Sequence, residues 1–255
     1  MNVSNNLKII QFFLIVLFNL SFSQTIINTE NMMKELDSDL SYNLAFQGDF
    51  NFGNIDLIQF STSHQFAKAL NKNLFRVLLN YEYIEEGGEK IAADYTGQIR
   101  YNYSINKNSI FVFAQAQNLR SLRMNHRYIS GGGYRHNLFL KENDYVDVSA
   151  GLFFEDELYD KNLSSSTQVY NWRYSFSGFG KYSFTKNLFL NLSVYYQINT
   201  SNSVDYRLFV QPRIYYSLPK FDIYLDNRYR YHSTPYIDIK KTDSSLEIGV
   251  EFSLK

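Results

Sequence analysis

The chain contains no cysteine, only three prolines among 255 residues, and equal numbers of basic and acidic side chains. Without cysteine the protein can form no disulfide, and lipid attachment through an N-terminal cysteine is excluded. The scarcity of proline favours a sheet-rich protein, because proline cannot donate the backbone hydrogen bond that a central strand requires. The balance of charge argues against a nucleic-acid partner, which would require a basic face.

Long hydrophobic runs are also rare, and the one that stands out lies at the N-terminus. Residues 9–22 follow Lys8, and Ser21 and Ser23 supply small residues before a cleavage site at Gln24. This arrangement is typical of a signal peptide; a retained N-terminal anchor is the alternative, although the run is short for a membrane span. No later run approaches the roughly 18 apolar residues of a membrane helix, so helical spans are excluded.

The chain is instead rich in aromatic residues that alternate with polar ones. Over residues 40–52, apolar or aromatic residues and one glycine occupy every second position, and mostly small polar residues lie between them. A period of two over this length indicates a β-strand with one apolar and one polar face. Ordinary strands have about five or six residues, whereas crossing a bilayer at a tilt takes about nine to eleven. The segment therefore predicts a membrane-spanning strand.

The same alternation recurs along the chain and gives about twelve strand candidates. The clearest are 40–52, 75–83, 93–103, 146–154, 170–184, 188–196, 204–216, 221–231 and 246–254, and weaker ones lie near 55–67, 110–120 and 127–140. We predict an all-β fold, a transmembrane antiparallel up-and-down β-barrel with an even number of strands. The predicted organisation is a signal peptide (1–23), a short periplasmic leader (24–38) and an outer-membrane barrel (39–255).

Two kinds of connection alternate between the strand candidates. One kind is tight and rich in asparagine, which tolerates the left-handed conformation that such turns require. The other kind is longer or more polar, at 85–90, 122–126, 160–167, 200–202 and 233–243. Short periplasmic turns and longer outer loops are typical of bacterial barrels, so both termini are predicted to lie in the periplasm. A soluble secreted β-protein is the alternative, but it would expose a continuous aromatic band to water.

Three segments in order along the chain carry a family resemblance. Residues 53–56 join the first two strands, Gly87 and Gly88 lie in the connection after the third, and the arginine-, tyrosine- and glycine-rich run 127–135 opens the middle strand. The chain resembles the outer-membrane barrels of the domain-of-unknown-function 481 family, also labelled salt-stress-induced outer-membrane proteins. The resemblance covers residues 40–255 and implies a location in the Gram-negative outer membrane. The family has no assigned chemistry, so the resemblance implies no catalytic residue.

The polar faces of the strands carry charges of both signs that we predict to line the lumen. These residues are Arg76, Arg100, Arg173, Lys181, Arg207, Arg213, Arg228, Arg230, Asp49, Glu82, Asp94, Asp147, Asp205, Asp222, Asp226, Glu247 and Glu251. They would either filter solutes as a pore lining or fill the lumen as a salt-bridge network. About twelve tilted strands enclose roughly 25 Å between backbones, and long side chains leave ~10 Å or less, which favours a plugged or very narrow lumen.

The histidines raise the alternative of a lipid-modifying barrel enzyme, in which a histidine near a rim would activate a nucleophile. His126 and His232 are expected near the loop rim, with Ser121, Ser233 and Asp238 nearby in sequence. These residues form no recognisable catalytic signature. We therefore predict no enzymatic activity, and we assign no catalytic residue, cofactor site or metal site.

Several other residues have structural interpretations. Asp56, Asp160 and the acidic residues in 155–157 lack the spacing of metal ligands and are expected to be solvated rim charges. Weak bridging to divalent cations or lipopolysaccharide is the alternative. The glycines 131–133 lack the remainder of a phosphate-binding loop and are expected to allow a bend, a bulge or a large lumen side chain. Trp172 and several tyrosines near strand ends are expected in aromatic girdles. Tyr236 is the best candidate for an exposed, sugar-binding aromatic residue.

The leading functional expectation is an integral outer-membrane barrel with a structural role or the role of a narrow, porin-like solute channel. The alternatives are a lipid-modifying enzyme and an interaction subunit, in which 160–167 and 233–243 would dock another envelope protein. The expected partners are outer-membrane lipid and lipopolysaccharide, together with the barrel assembly machinery, which would engage the last amphipathic strand.

Overall fold

A computed structural model of the protein describes residues 40–51, 57–162 and 165–254. The predicted signal peptide and leader lie outside the described residues, and so does the segment 53–56 between the first two strands. No helix in the described part of the chain is long and apolar enough to span a membrane.

Twelve β-strands make up most of the described chain. They are β1 (Leu40–Asn51), β2 (Leu57–Leu70), β3 (Asn73–Glu86), β4 (Glu89–Ile105), β5 (Asn108–Leu119), β6 (Met124–Lys141), β7 (Asp144–Asn162), β8 (Ser165–Ser183), β9 (Leu188–Asn199), β10 (Tyr206–Ser217), β11 (Asp222–His232) and β12 (Thr242–Leu254). Each strand pairs antiparallel with its sequence neighbours, and β1 pairs with β12 to close the barrel. Because lipid offers no hydrogen-bond partners, the backbone N–H and C=O groups at the edges of a sheet must be paired, and closure of the barrel pairs them. The predicted fold class, topology and strand number are confirmed.

The connections define two rims, which we call the turn rim and the loop rim. The turn rim carries the β2–β3, β4–β5, β6–β7, β8–β9 and β10–β11 connections, together with the start of β1 and the end of β12. Asn71, Asn106 and Glu142 have positive φ angles of 55°, 55° and 53° at three of these turns. At two of these turns an asparagine adopts the left-handed conformation, as expected for this residue type.

Two connections at the loop rim are shorter than predicted. β3 and β4 meet through a turn at Gly87 and Gly88, whose φ angles of 59° and 85° are accessible to glycine without steric cost. β7 extends to Asn162 and β8 begins at Ser165, so the segment 160–167 is mostly strand. The connections at 85–90 and 160–167, which were expected to be longer or more polar, are therefore not long, and the longest connection between the described strands is 233–241.

Side chains alternate between an apolar outer face and a polar inner face. Ile99, Tyr170 and Ile248 are among the outward side chains, and each is at least 60 % exposed. Aromatic pairs lie on this face toward both rims: Tyr42 with Phe66 and Phe75 with Tyr101 near the turn rim, and Tyr81 with Tyr95 and Phe154 with Trp172 toward the loop rim. Two aromatic bands around an apolar zone are typical of a barrel in a bilayer.

Two inward-facing glycines in β6 let neighbouring groups approach closely. A Cβ atom at Gly133 would lie 2.5 Å from the Ala150 carbonyl oxygen and 2.8 Å from the Phe111 ring, and one at Gly131 would overlap the Phe153 side chain. A side chain fits at neither position unless the backbone moves. The glycines make room for lumen aromatic rings, in agreement with one of the roles expected for 131–133.

Candidate functional site

The inner faces of the strands place the predicted charges inside the barrel. Buried positions alternate along β10 and β11 and include Arg207, Arg213 and Asp226. The following predicted residues also lie at inward positions of their strands: Arg76, Arg100, Arg173, Lys181, Arg228, Arg230, Glu82, Asp94, Asp147, Asp222, Glu247 and Glu251. Asp205 lies in the connection before β10 and turns its buried side chain toward β8. The side chain of Asp49 lies outside the described residues.

Six charges near the loop rim form one buried network, which we call the loop-side ion cluster. Its members are Arg127 on β6, Glu155 and Glu157 on β7, Arg173 on β8, Asp205, and Arg207 on β10. Glu155 lies 2.8 Å from the Arg127 guanidinium, 2.5 Å from that of Arg173 and 3.0 Å from that of Arg207. Glu157 lies 2.7 Å from Arg127 and 3.0 Å from Arg207. Asp205 lies 2.7 Å from Arg173.

Burial explains why every member of the cluster has a partner of opposite charge. The six side chains are at most 3 % exposed, and removing one partner from a buried ion pair costs about 3–5 kcal/mol. Burial by itself raises the pKa of the Asp205 carboxyl, but the hydrogen bond with His232 and the adjacent Arg173 guanidinium outweigh it and hold that pKa well below its usual range. The cluster is a neutral unit of three cations and three carboxylates.

A second network, the seam ion cluster, joins the strands around the β1–β12 closure. Asp226 on β11 lies 2.8 Å from the Arg213 guanidinium and 3.0 Å from that of Arg228. Arg228 also lies 3.2 Å from Glu247 on β12 and donates a hydrogen bond to Gln47 on β1 at 2.9 Å. Cations and carboxylates alternate here as well. The charges in this part of the lumen are therefore paired with opposite charges, and neither sign dominates.

The structure corrects the interpretation of the acidic residues 155–157. Glu155 and Glu157 were expected to be solvated rim charges, yet neither is exposed at all. Continuing the alternation of β7 beyond Phe153 would have placed both residues, and Tyr159, on the inner face. The prediction failed because the strand was expected to end at 154, whereas β7 continues to Asn162.

Two lumen arginines on β6, Arg127 and Arg135, were not predicted. Arg135 pairs with Asp147 at 2.5 Å and stacks 4.7 Å from the centre of the Phe179 ring. The pairing of β6 with β7 shifts at 124–126 and again at 137–139. A strict alternation across the whole strand therefore assigns part of it to the wrong face, so the inward residues of β6 could not be identified by alternation alone.

The connection 233–241, which we call the inward loop, folds into the mouth of the barrel. The Tyr236 hydroxyl donates to Asp205 at 2.7 Å and accepts from Arg173 at 2.6 Å and from Asn171 at 2.8 Å. Burial raises the pKa of this hydroxyl above its ordinary value, so it remains a donor. Tyr236 is thus tied to the loop-side ion cluster and is not the exposed sugar-binding residue that the sequence suggested.

An apolar contact holds the inward loop against the opposite wall. Ile237 packs in a buried cluster with Leu119, Leu122, Met124 and Tyr159, at the β5–β6 connection and on β7. In the closed sheet these strands lie across the barrel from β11 and β12, which the loop connects. The loop therefore crosses the mouth above the loop-side ion cluster.

The histidines are divided between the two faces. His232 Nε2 lies 2.8 Å from Asp205 Oδ1, whereas the adjacent Ser233 hydroxyl donates to the Val204 carbonyl oxygen. His126 lies 3.7 Å from Asp156, and the Ser121 hydroxyl donates to Asp94. Within the described ranges, His, Asp and Glu side chains form no group of three suited to hold a metal ion.

The fold is that of an outer-membrane β-barrel, closed by twelve antiparallel strands. More particularly, the chain belongs to the DUF481 family of proteins of unknown function, whose model matches residues 36–254. No curated protein gives a significant sequence match.

Two solved structures share the fold at very low sequence identity. The NanC porin is 10 % identical, with a TM-score of 0.51 over 84 % of this chain and 100 % of that one. The COG4313 outer membrane channel from Pseudomonas putida F1 is 9 % identical, with a TM-score of 0.53 over 90 % of this chain and 99 % of that one. These similarities concern the barrel and say nothing of a shared solute.

Proposed function

We propose that this protein is a narrow solute channel of the outer membrane, closed at the loop rim in the conformation described. The observation that carries the proposal is the inward loop, which crosses the mouth between Tyr236 on one side and the Ile237 pocket on the other. Beneath it, the loop-side ion cluster occupies the lumen between β6 and β10.

The chemistry of the lumen supports a channel over a purely structural barrel. Uncharged polar side chains such as Gln98, Gln115 and Gln197 line a cavity of about 70 Å³ on the inner wall. A second cavity, of about 410 Å³, opens near the turn rim between Asn106 and Asp147. A solute path requires polar surfaces at which water and solute exchange hydrogen bonds, and the walls of these two cavities supply such surfaces.

The closure is local enough to be tested by one substitution in the inward loop. Ile237→Ser places a hydroxyl in the apolar pocket and should release the loop, whereas Asp238→Ser changes an exposed neighbour in the same loop. We expect the refolded mature protein (24–255) to give rare or small current steps in a planar bilayer, and Ile237→Ser to give larger or more frequent steps. Asp238→Ser should behave as the wild type. Equal, silent traces from all three proteins would refute the channel.

We also infer that residues 1–23 are removed on export and that both termini lie in the periplasm. The support is the basic residue, apolar run and small residues before Gln24, and the placement of both barrel ends at the turn rim. N-terminal sequencing of the membrane-inserted protein should begin at Gln24. An epitope tag after residue 255 should stay inaccessible to antibody on intact cells, and labelling of intact cells would invert the orientation.

The partners inferred from the outer face are lipid, lipopolysaccharide and, during biogenesis, the barrel assembly machinery, for which β12 offers alternating Leu246, Ile248 and Val250. We propose no enzymatic role. In the enzyme alternative, His232 would activate a nucleophile and its carboxylate partner, Asp205, would orient the imidazole. Asp205 instead belongs to the loop-side ion cluster, where it pairs with Arg173. Replacing His232 or His126 by alanine should leave the lipid A and phospholipid composition of cells unchanged. An envelope partner at the loop rim would instead be revealed by stoichiometric copurification.

A further inference from the structure

The middle of the lumen contains a patch of aromatic rings, although the interior of a membrane barrel is ordinarily polar. The rings face inward from β5, β7, β8 and β9 and belong to Phe111, Phe113, Phe153, Phe179 and Tyr195. The pairs Phe111–Phe113, Phe113–Phe153 and Phe179–Tyr195 have ring centres 6.4, 6.5 and 5.4 Å apart. Three of the rings are buried, whereas Phe113 and Tyr195 are only partly buried. The patch therefore presents aromatic surface to the lumen at these two rings.

Uncharged polar side chains share a cavity with this aromatic patch. The cavity has a volume of about 70 Å³, and besides the five rings its lining includes Gln98, Gln115, Gln197, Ser149, Ser175 and Ser177. Gln98 Nε2 donates a hydrogen bond to Gln115 Oε1 at 2.7 Å, which holds two of the carboxamides side by side. A cavity of this size has room for about five water molecules. It therefore suits a solute of about the size of one sugar ring.

The cavity has no unpaired charge to offer a solute. None of the described residues that line it is a carboxylate. The two arginines in its lining are engaged with groups of the barrel itself: Arg127 pairs with Glu155 in the loop-side ion cluster. Arg100 donates a hydrogen bond to Asn102 Oδ1 and stacks against the Phe111 ring. Because an ion that leaves water without gaining a counter-ion loses solvation energy, the lining favours an uncharged solute.

A second, independent observation is a buried carboxamide oxygen without a hydrogen-bond donor. Gln197 on β9 is 7 % exposed, and among the residues that the structure describes none donates to its Oε1 atom. Buried polar atoms in proteins are nearly always hydrogen-bonded. The terminal torsion of a glutamine is soft, so this oxygen can turn to meet a donor in the adjacent cavity, and a solute hydroxyl is such a donor. The lining thus suits a solute that has hydroxyl groups as well as an apolar surface.

From the aromatic patch and the carboxamides we propose that this cavity binds the ring of an uncharged sugar. The C–H bonds on one face of a pyranose form an apolar surface, which lies against Phe113 and Tyr195. The hydroxyls at the edge of the ring exchange hydrogen bonds with Gln98 and Gln197, in the combination of apolar walls and a few polar groups that is typical of small-molecule sites. The inference rests on the proposed function in that a solute must enter the lumen, and it names the class of that solute.

Two related classes of solute fit the lining less well. A linear polyol has the hydroxyls but no rigid apolar face to lie against the rings. An acidic sugar has the face but adds a charge, which arginines already engaged with the barrel do not offset. These differences define the controls of the test.

Saturation-transfer NMR on the refolded mature protein (24–255) tests the proposal, in a detergent without a sugar head group. The probes are the neutral pyranoses D-glucose, D-galactose, D-mannose and D-xylose, with acyclic D-mannitol and charged D-glucuronate as controls. Saturating the aromatic protons of the protein should transfer signal to the ring C–H protons of at least one pyranose. That pyranose should bind at least about threefold more tightly than either control.

The result that would overturn the proposal is transfer to none of the four pyranoses, which leaves the rings as packing alone. Binding of mannitol or glucuronate as tight as that of the best pyranose would overturn it as well. The variant Ile237→Ser is measured beside the wild type, so that closure of the mouth by the inward loop does not hide the site.

Variants of one ring assign the stacking contact. Phe113→Leu keeps an apolar side chain without the ring and should weaken the best pyranose by about three- to tenfold. Phe113→Tyr keeps the ring and should bind as the wild type does. Phe189→Leu is the matched control, because Phe189 stacks 4.7 Å from Tyr215 and is not among the residues that line the cavity. Wild-type affinity in Phe113→Leu, or an equal loss in Phe189→Leu, would refute the site.

A variant of the carboxamide tests the hydrogen bond separately. Gln197→Met keeps the length of the side chain and removes its polar atoms, so it should weaken every pyranose that binds. It should not lower the stability of the barrel, because it removes a buried oxygen that lacks a donor. Unchanged pyranose binding in Gln197→Met would contradict the role assigned to this residue.

Folding defects and a silent channel are separated from failure of the site. Where a gel shift shows that Phe113→Leu does not fold, Tyr195→Leu takes its place, with Tyr195→Phe as the variant that keeps the ring. Silent bilayer traces together with saturation transfer to a pyranose would refute the channel and leave the binding site. Conducting channels without transfer to any of the four pyranoses would refute the site and leave the channel.

Discussion

Replacing Glu155 by glutamine tests the claim that the loop-side ion cluster is a coupled unit. The carboxylate lies within 3.0 Å of three guanidiniums and is completely buried. In Glu155→Gln these three cations would share only Glu157 and Asp205. Breaking one buried ion pair costs about 3–5 kcal/mol, and we expect a loss in that range because no water screens the uncompensated charge.

Urea unfolding of the barrel in lipid vesicles would measure this loss. Trp172 lies on the outer face and is 52 % exposed, so its fluorescence reports departure of the barrel from lipid. Glu142→Gln at an exposed turn is the matched control and should shift the free energy of unfolding by less than about 0.5 kcal/mol.

The double variant Glu155→Gln with Arg207→Gln makes the test sharper. It restores neutrality, since the Arg127–Glu157 and Arg173–Asp205 contacts remain. The double variant should be more stable than Glu155→Gln alone. A single variant within about 1 kcal/mol of the wild type, or a double variant that loses the sum of two single losses, would refute the coupled unit.

Three further predictions concern the packing of β6, the depth of the barrel in the membrane and the pH dependence of its stability. Gly133→Val should prevent folding, because its Cβ would lie 2.5 Å from the Ala150 carbonyl oxygen, whereas Gly178→Ala, with no atom within 4 Å of its Cβ, should fold normally in a gel-shift assay. Ile248→Arg should cost about 2–4 kcal/mol of unfolding free energy and Leu140→Arg about 0–1 kcal/mol. Both side chains are 63 % exposed, but Leu140 lies at the turn rim, so equal losses would contradict the assigned membrane depth. The lowered pKa of Asp205 in the folded state predicts a stability contribution that is complete above the unfolded value of about 4 and is lost as pH falls below it. Unfolding midpoints between about pH 3 and pH 7 should therefore decline toward acid in the wild type and less steeply in Asp205→Asn.

The barrel could be predicted from sequence because its outer face meets lipid along nearly every strand. The alternation over 40–52 reappears in the structure as β1, with Asn43, Ala45 and Gln47 buried on the inner face and Phe46 exposed outside. The surrounding lipid, rather than any single contact, imposes this alternation on every strand, so the alternation can be recognised from one sequence alone. The same reasoning gave the even strand number.

The organisation of the lumen was less predictable, because it depends on which strands meet across the barrel. The inward positions of Arg173 and Arg207 follow from alternation, but their shared partner Glu155 was placed at the rim. Nothing local to 233–241 indicates that Ile237 enters a pocket made by Leu119, Leu122, Met124 and Tyr159, which lie far earlier in the sequence. The irregular pairing of β6 likewise hid Arg127, although its neighbour Tyr128 is exposed outside.

The equal numbers of cations and carboxylates in the loop-side ion cluster have a consequence for how the barrel responds to an electric field. A single charge moved across a membrane potential of 100 mV gains or loses about 2.3 kcal/mol. A unit of three arginines and three carboxylates carries no net charge, so displacing it as a whole does almost no electrical work. Any opening that moves the cluster intact should depend on solutes or on neighbours in the envelope, and hardly at all on voltage.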